Sequence, residues 1–221
     1  MNTELVKYLS GFVTEARLKR FEEVLVNRTR HIAIGLENIY QPQNASAVLR
    51  SCDCFGIQDV HIIENTNKYT YNPDVSLGSE KWLTLNRYND GKESLNNCVS
   101  ALKASGYTIA VTSLHKDSYN IENVPLTNKL ALFFGTEMRG ATAELEAKAD
   151  MFVKIPMLGF TESFNISVAA ALSMYALSSR LRKENISWQL SDSDKEDLRL
   201  QWLRNTIPKV ELLEKDFISK L

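Results

Sequence analysis

The sequence predicts an α/β fold, a mostly parallel sheet with helices on both faces, extended by extra helices at both termini. Three observations carry that prediction. Between residues 31 and 182, short apolar runs bounded by turn residues alternate with helical stretches, and such alternation implies a parallel sheet covered on both sides. Both ends of the chain instead place apolar residues at helical spacing. A length of 221 residues, 44% hydrophobic and 24% charged, suits one such domain with appended helices. The expected organisation is therefore a helical extension over 1–30, an α/β domain over 31–182, and a second helical extension over 183–221.

The elements follow in order. Residues 1–30 read as helix because "TELVKYL" and "TEARLKRFEEVLVNRT" repeat their apolar residues every three or four positions. Arg17, Lys19, Arg20, Arg28 and Arg30 make this the most basic part of the chain; on charge alone a solvated helix face is the plainer explanation. "HIAIGL" is a strand, and "NASAVLRSCDCFG" is a helix with Asn44 as N-cap and Gly56 as its stop. "DVHIIE" is the second strand. Residues 66–91 form the least regular stretch and read as a functional loop with a short strand around Trp82 to Leu85. "KESLNNCVSALKASG" is a helix ended by Gly106, "YTIAVTSL" and "KLALFFG" are strands, "TAELEAKA" is a short helix, and "MFVKIP" is another strand. A longer helix covers 165–182, and the helical C-terminal stretch is divided at Pro208.

Composition excludes several classes. A formal charge of -1 gives no global basic bias, so any nucleic-acid contact requires a local patch. The N-terminal residues break their apolar run with charges, unlike a signal peptide, and no stretch approaches the roughly 20 apolar residues of a membrane span. A cytoplasmic protein without membrane contact is expected. Cys52, Cys54 and Cys98 are an odd number of thiols at no disulfide spacing, and no second cluster completes a metal site around them. His31, His61 and His115 are scattered and read as structural histidines.

Ligands of open parallel sheets bind beyond the carboxyl ends of the strands, and three such ends carry unusual residues. The first, "YQPQNASAVLR", offers Asn44 and Arg50. Arg50 lies among Ala, Val, Leu, Cys and Phe, where an unpaired arginine is costly to bury and a carboxylate or phosphate partner is expected. The second, "FFGTEMRGATAEL", places Glu137 between Gly135 and Gly140. The glycine spacing invites comparison with a phosphate loop, but Ala141 and Thr142 follow where Lys and Ser/Thr belong, and no dinucleotide fingerprint is present. The third, "IPMLGFTESFNIS", spends Gly159, Thr161, Glu162, Ser163 and Asn165 between a strand and a helix. Ser163 or Asn165 can cap that helix, which accounts for one polar residue and not five.

Together these stretches resemble the three motifs of the SpoU (TrmH) branch of the SPOUT RNA 2′-O-methyltransferases: Asn44 and Arg50 in the first, Gly135, Glu137 and Gly140 in the second, "IPM-x-G" running into Ser163–Phe164–Asn165 in the third. The resemblance implies a deep trefoil knot, an exception to the rule against threaded chains. It implies S-adenosylmethionine as cofactor, S-adenosylhomocysteine as product and no metal, with the cofactor held by Thr112 or Leu114, the Gly135 to Gly140 turn, Ile155, Met157 and Phe164. It implies a homodimer whose site is completed across the interface by Arg50. It also implies tRNA as partner, held by the flanking helices, with Arg17, Arg20, Arg28, Arg180 and Arg182 as candidate RNA contacts. "GSEKWLTL" and the helices at both ends are similar to the members that methylate the D-loop guanosine at position 18. Members acting on ribosomal RNA or the tRNA wobble ribose, and a non-catalytic knotted RNA-binding protein, are the alternatives. Phe164 replaces the family's usual Leu, and Gln41 and Gln43 replace a common Lys and His.

Methyl transfer to a ribose needs an in-line donor, loss of the hydroxyl proton and stabilisation of the developing alkoxide. Arginine is a poor base, so Arg50 is expected to act as a cation that binds phosphate and hydroxyl together. Asn44, Ser163 and Asn165 are assigned to the substrate-side hydrogen-bond network, and Glu137 to ordering its turn.

Overall fold

A computed structural model describes residues 2–113, 117–136 and 140–220. Among these residues the sheet has seven strands: β1 (Thr29–Glu37), β2 (Ile57–Ile63), β3 (Thr84–Tyr88), β4 (Tyr107–Thr112), β5 (Tyr119–Asn120), β6 (Lys129–Phe134) and β7 (Met151–Lys154). Their order is β3-β2-β1-β6-β4-β7-β5, and every pairing is parallel. All carboxyl ends therefore lie along one edge. The register aligns them: Leu36 pairs with Phe134, Val111 with Phe133, and Thr112 with Val153. The residues just beyond, Glu37, Gly135, Ser113 and Lys154, emerge at one level of the sheet.

The helices are α1 (Asn2–Ser10), α2 (Glu15–Leu25), α3 (Pro42–Phe55), α4 (Pro73–Ser76), α5 (Ser94–Ala104), α6 (Ala143–Lys148), α7 (Ile166–Leu181), α8 (Asp192–Thr206) and α9 (Val210–Ser219). Alternate strand residues point to opposite faces, and each face is apolar because each is covered. Ile32, Ile34, Leu130 and Leu132 pack with Val48 and Leu49 of α3 and Met174 and Leu177 of α7. Ala33, Ala131, Phe133 and Val111 pack with Leu95 and Leu102 of α5 and Leu145 of α6. Gly35 is required by this packing, since a Cβ there would sit 2.2 Å from the Phe133 ring.

Contacts divide the chain into two compact units, Thr29–Trp188 and the pair Met1–Arg28 with Gln189–Leu221. The first holds the sheet. Within the second, Phe21 packs edge-on against Trp202 at 5.4 Å and the Arg199 guanidinium forks onto Glu22 with both contacts at 2.6 Å.

Several local expectations change. The first thirty residues are not continuous helix: the chain turns between α1 and α2, Thr14 caps α2, and Thr29 and Arg30 belong to β1, where Thr29 pairs with Ile57. Asn44 is not an N-cap. Pro42 supplies the first helical turn, where its missing N–H costs nothing and its fixed φ suits the helix, so α3 starts earlier with Gln41 as N-cap. Gly56, at φ 75°, ends α3 as the sequence implied. Residues 66–91 contain the short helix α4 as well as β3, and β5 is too short to leave a periodic signal. Pro208 separates α8 from α9.

Candidate active site

The aligned carboxyl ends of β4, β6 and β7 open onto a cavity of about 560 Å³. Thr112 and Ser113 line it from β4; Gly135, Thr136, Gly140 and Ala141 from the chain after β6; Ile155 and Met157 from the chain after β7. Ser163, Phe164 and Asn165 close it at the start of α7. Gly135 lies so close to the returning chain that a Cβ would stand 2.1 Å from the Ala141 nitrogen, so only glycine fits. Two backbone hydrogen bonds shut this turn: Thr136 N–H donates to the Gly140 carbonyl at 2.9 Å, and Gly140 N–H to the Thr136 carbonyl at 3.0 Å.

The far end of the turn is held by Glu37, a residue that the motif reading passed over. Glu37 is fully buried at the end of β1. Its carboxylate accepts from Thr142 N–H at 2.9 Å and from the Thr142 hydroxyl at 2.6 Å, while Thr142 caps α6 by accepting from Leu145 N–H at 3.2 Å. Burial pushes the Glu37 carboxyl above the usual range; the two Thr142 hydrogen bonds pull the other way, and Glu144 adds to the rise. The available signal was a carboxylate ending the apolar run "HIAIGLE".

Asn165 organises the opposite wall. Its Oδ1 accepts from Ser167 N–H at 2.9 Å and the Ser167 hydroxyl at 2.6 Å, which makes it the N-cap of α7. Its Nδ2 donates to Asn44 Oδ1 at 3.1 Å, and Asn44 Nδ2 donates in turn to Gln41 Oε1 at 3.1 Å. The first and third motifs thus meet in one chain of side-chain amides, with Gln41 at its end.

Residues 31–175 match the profile of the SpoU rRNA Methylase family. The chain belongs to the SpoU rRNA Methylase family. It is 47% identical over 206 residues to a Borreliella burgdorferi protein named tRNA (guanosine(18)-2'-O)-methyltransferase, covering 93% of each chain. A Thermus thermophilus protein of the same name is 39% identical, over 73% of this chain and 81% of its own. Among solved structures, the A. aeolicus TrmH/SpoU tRNA modifying enzyme superposes with a TM-score of 0.77 at 29% identity, covering 88% of this chain and 98% of that one.

On this SpoU-family frame the candidate residues other than the arginines fall into three groups. Thr112, Gly135, Gly140, Ile155, Met157, Ser163, Phe164 and Asn165 line the cavity with Thr136 of the same turn, joined by Ser113, Glu146, Lys154 and Glu162, which sequence reasoning had not assigned to it. Asn44 reaches it through Asn165. Leu114 and Glu137 lie outside the described residues.

Arg50 stands apart: it is exposed on α3 and absent from the cavity lining, and no described residue forms an ion pair or hydrogen bond with its side chain. The expectation that it is buried among apolar neighbours is corrected, because its position on the helix faces solvent. Arg17 and Arg20 are exposed, the latter 3.3 Å from Glu23. Arg28 is not a surface cation: it is 1% exposed, its guanidinium 5.6 Å from the Trp202 ring centre, and an enclosed charge offers little to a polyanion. Arg180 donates to Glu184 at 3.0 Å, and Arg182 donates to the Phe55 carbonyl at 3.0 Å while lying over Trp188. Burial lowers the Arg182 pKa from its ordinary value. Among the described residues no group of His, Cys, Asp and Glu is placed to hold a metal ion.

Proposed function

We propose that this chain transfers a methyl group from S-adenosylmethionine to the ribose 2′-hydroxyl of guanosine 18 in tRNA, releasing S-adenosylhomocysteine and the hydroxyl's proton. The observation that carries this reading is the 93% span of likeness to the Borreliella burgdorferi tRNA (guanosine(18)-2'-O)-methyltransferase. The cavity supports it independently. Its volume falls in the range of small-molecule sites. Gly135 and Gly140 let the main chain approach a ligand, Ile155, Met157 and Phe164 offer apolar walls, and the carboxylates of Glu146 and Glu162 suit a ligand bearing positive charge.

When bound, the cofactor supplies a methyl group made electrophilic by its sulfonium. The protein supplies position and charge. Ser163 and Asn165, at the wall shared with Asn44, hold the ribose by hydrogen bonds. Arg50 binds RNA phosphate and the reacting hydroxyl together and lowers the hydroxyl's pKa.

Two further features belong to the same reading. Two protomers pair through the face of α7 that carries Val168, Leu172 and Tyr175, all exposed, continued by the exposed Phe164 and the fully exposed Leu158 and Phe160. In that pair Arg50 of one protomer faces the cofactor of its partner, which accounts for its absence from its own cavity. The segment from Ile155 to Asn165 is the threaded part of a trefoil knot, and the N-terminal helices hold tRNA with Arg17 and Arg20 on their surface.

The test is methyl transfer to two synthetic tRNAs, one with guanosine and one with 2′-deoxyguanosine at position 18. Transfer to the first alone is expected; equal labelling of both would overturn the assignment. Arg50→Lys should slow single-turnover transfer at least about tenfold, because a point charge does not replace a forked guanidinium. An undiminished rate in that variant would contradict the role given to Arg50.

A further inference from the structure

We infer that Glu37 is a positioning residue for the cofactor turn, acting through Thr142, and that the end of β1 thereby sets how tightly the adenosyl cofactor is held. The inference rests on the methyltransferase reading above. It concerns a residue that touches neither the cavity nor the reacting atoms.

Glu37 ends β1 and Asn38 follows it, between the loop after β2 and the turn after β6. Asn38, at φ 50°, turns one way: its Oδ1 accepts from Asn65 N–H at 2.9 Å and Thr66 N–H at 2.8 Å, and its carbonyl accepts from Asn67 Nδ2 at 2.8 Å. Glu37 turns the other way and takes both donors of Thr142. Thr142 directly follows Gly140 and Ala141, which line the cavity. The turn is closed on itself at Thr136 and Gly140 and packed against Gly135. The α6 end of the turn carries Thr142, and that is where the carboxylate is attached.

A fully buried carboxylate on an apolar strand is costly unless satisfied, and here two donors from one residue satisfy it. Its geometry matches Thr142 and nothing in the cavity. Ser at 142 would keep both donors, whereas Val would keep the shape and lose the hydroxyl. Gln at 37 would keep the shape but lose the charge that strengthens both bonds, its NH₂ able only to donate to the Thr142 hydroxyl oxygen.

The experiment measures S-adenosylhomocysteine binding by calorimetry, together with steady-state methyl transfer, for the full chain and for Glu37→Gln, Thr142→Val and Thr142→Ser. Glu37→Gln and Thr142→Val should weaken S-adenosylhomocysteine binding and raise KM for S-adenosylmethionine about tenfold or more, with kcat at saturating cofactor within about twofold. Thr142→Ser should restore wild-type binding. Variants that melt earlier yet bind S-adenosylhomocysteine as the wild type does would overturn the inference and leave a structural role only. So would a loss of kcat at unchanged KM. If the wild-type chain itself binds no S-adenosylhomocysteine, the methyltransferase reading fails, and this inference with it.

Discussion

On β2, His61 places Nδ1 3.1 Å from the Tyr88 hydroxyl and stacks on that ring with centroids 5.9 Å apart. Burial holds its pKa down at about 4, and burial pushes both Tyr88 and the neighbouring Cys98 thiol up to about 12. All three groups are therefore neutral at pH 7. The unfolded chain takes up a proton at the ordinary histidine pKa of 6.5 while the folded chain does not. Stability is thus lost as pH falls from about 6.5 to about 4, with no further loss from this group below that. Between pH 7 and pH 5 the loss amounts to roughly 2 kcal/mol. Urea denaturation at both pH values should show that difference in the wild type and a clearly smaller one in His61→Gln; equal differences would remove His61 as the cause. The structural role of His61 was legible from a lone histidine in an apolar run. The amide chain from Gln41 through Asn44 to Asn165 was not, because a side chain that can cap a helix and one that reaches across to another motif look alike in one dimension. Glu37 was hidden for a related reason: its partner lies 105 residues away.

At the scale of elements, α7 is apolar on two opposite faces. Ala170, Met174 and Leu177 are buried in the sheet's core, and Cys52 Sγ of α3 lies 3.6 Å from Met174 Sδ. Val168, Leu172 and Tyr175 remain exposed on the other side. A helix apolar on both sides gives a weak amphipathic pattern, and the pairing proposed above would cover the second side. Sedimentation should give twice the chain mass for the wild type, and Leu172→Asp, which places a charge in the proposed pairing face, should weaken association more than about tenfold. A wild-type chain that sediments as a monomer would contradict the pairing. The β/α alternation was legible because β1, β4 and β6 carry long apolar runs and the helices α3 and α5 run into glycines, Gly56 and Gly106. α4 and β5 were not, since four and two residues carry no period.

For the whole molecule, periodicity supplies the parts and topology the site. The order β3-β2-β1-β6-β4-β7-β5 sets strands far apart in sequence side by side, and the register then brings three polar strand ends to one cavity. No local pattern encodes that order; the polar joints at the ends of apolar strands are its only trace. The net charge of -1 also gives no sign of a polyanion substrate, so binding one falls to local cations, and Arg17 and Arg50 are the proposed ones. The most direct measurement incubates the purified chain with labelled S-adenosylmethionine and total unmodified tRNA, then maps the modified nucleotide. The account predicts one 2′-O-methylated ribose, at guanosine 18. Methylation at the wobble ribose, or label entering ribosomal RNA and not tRNA, would contradict it.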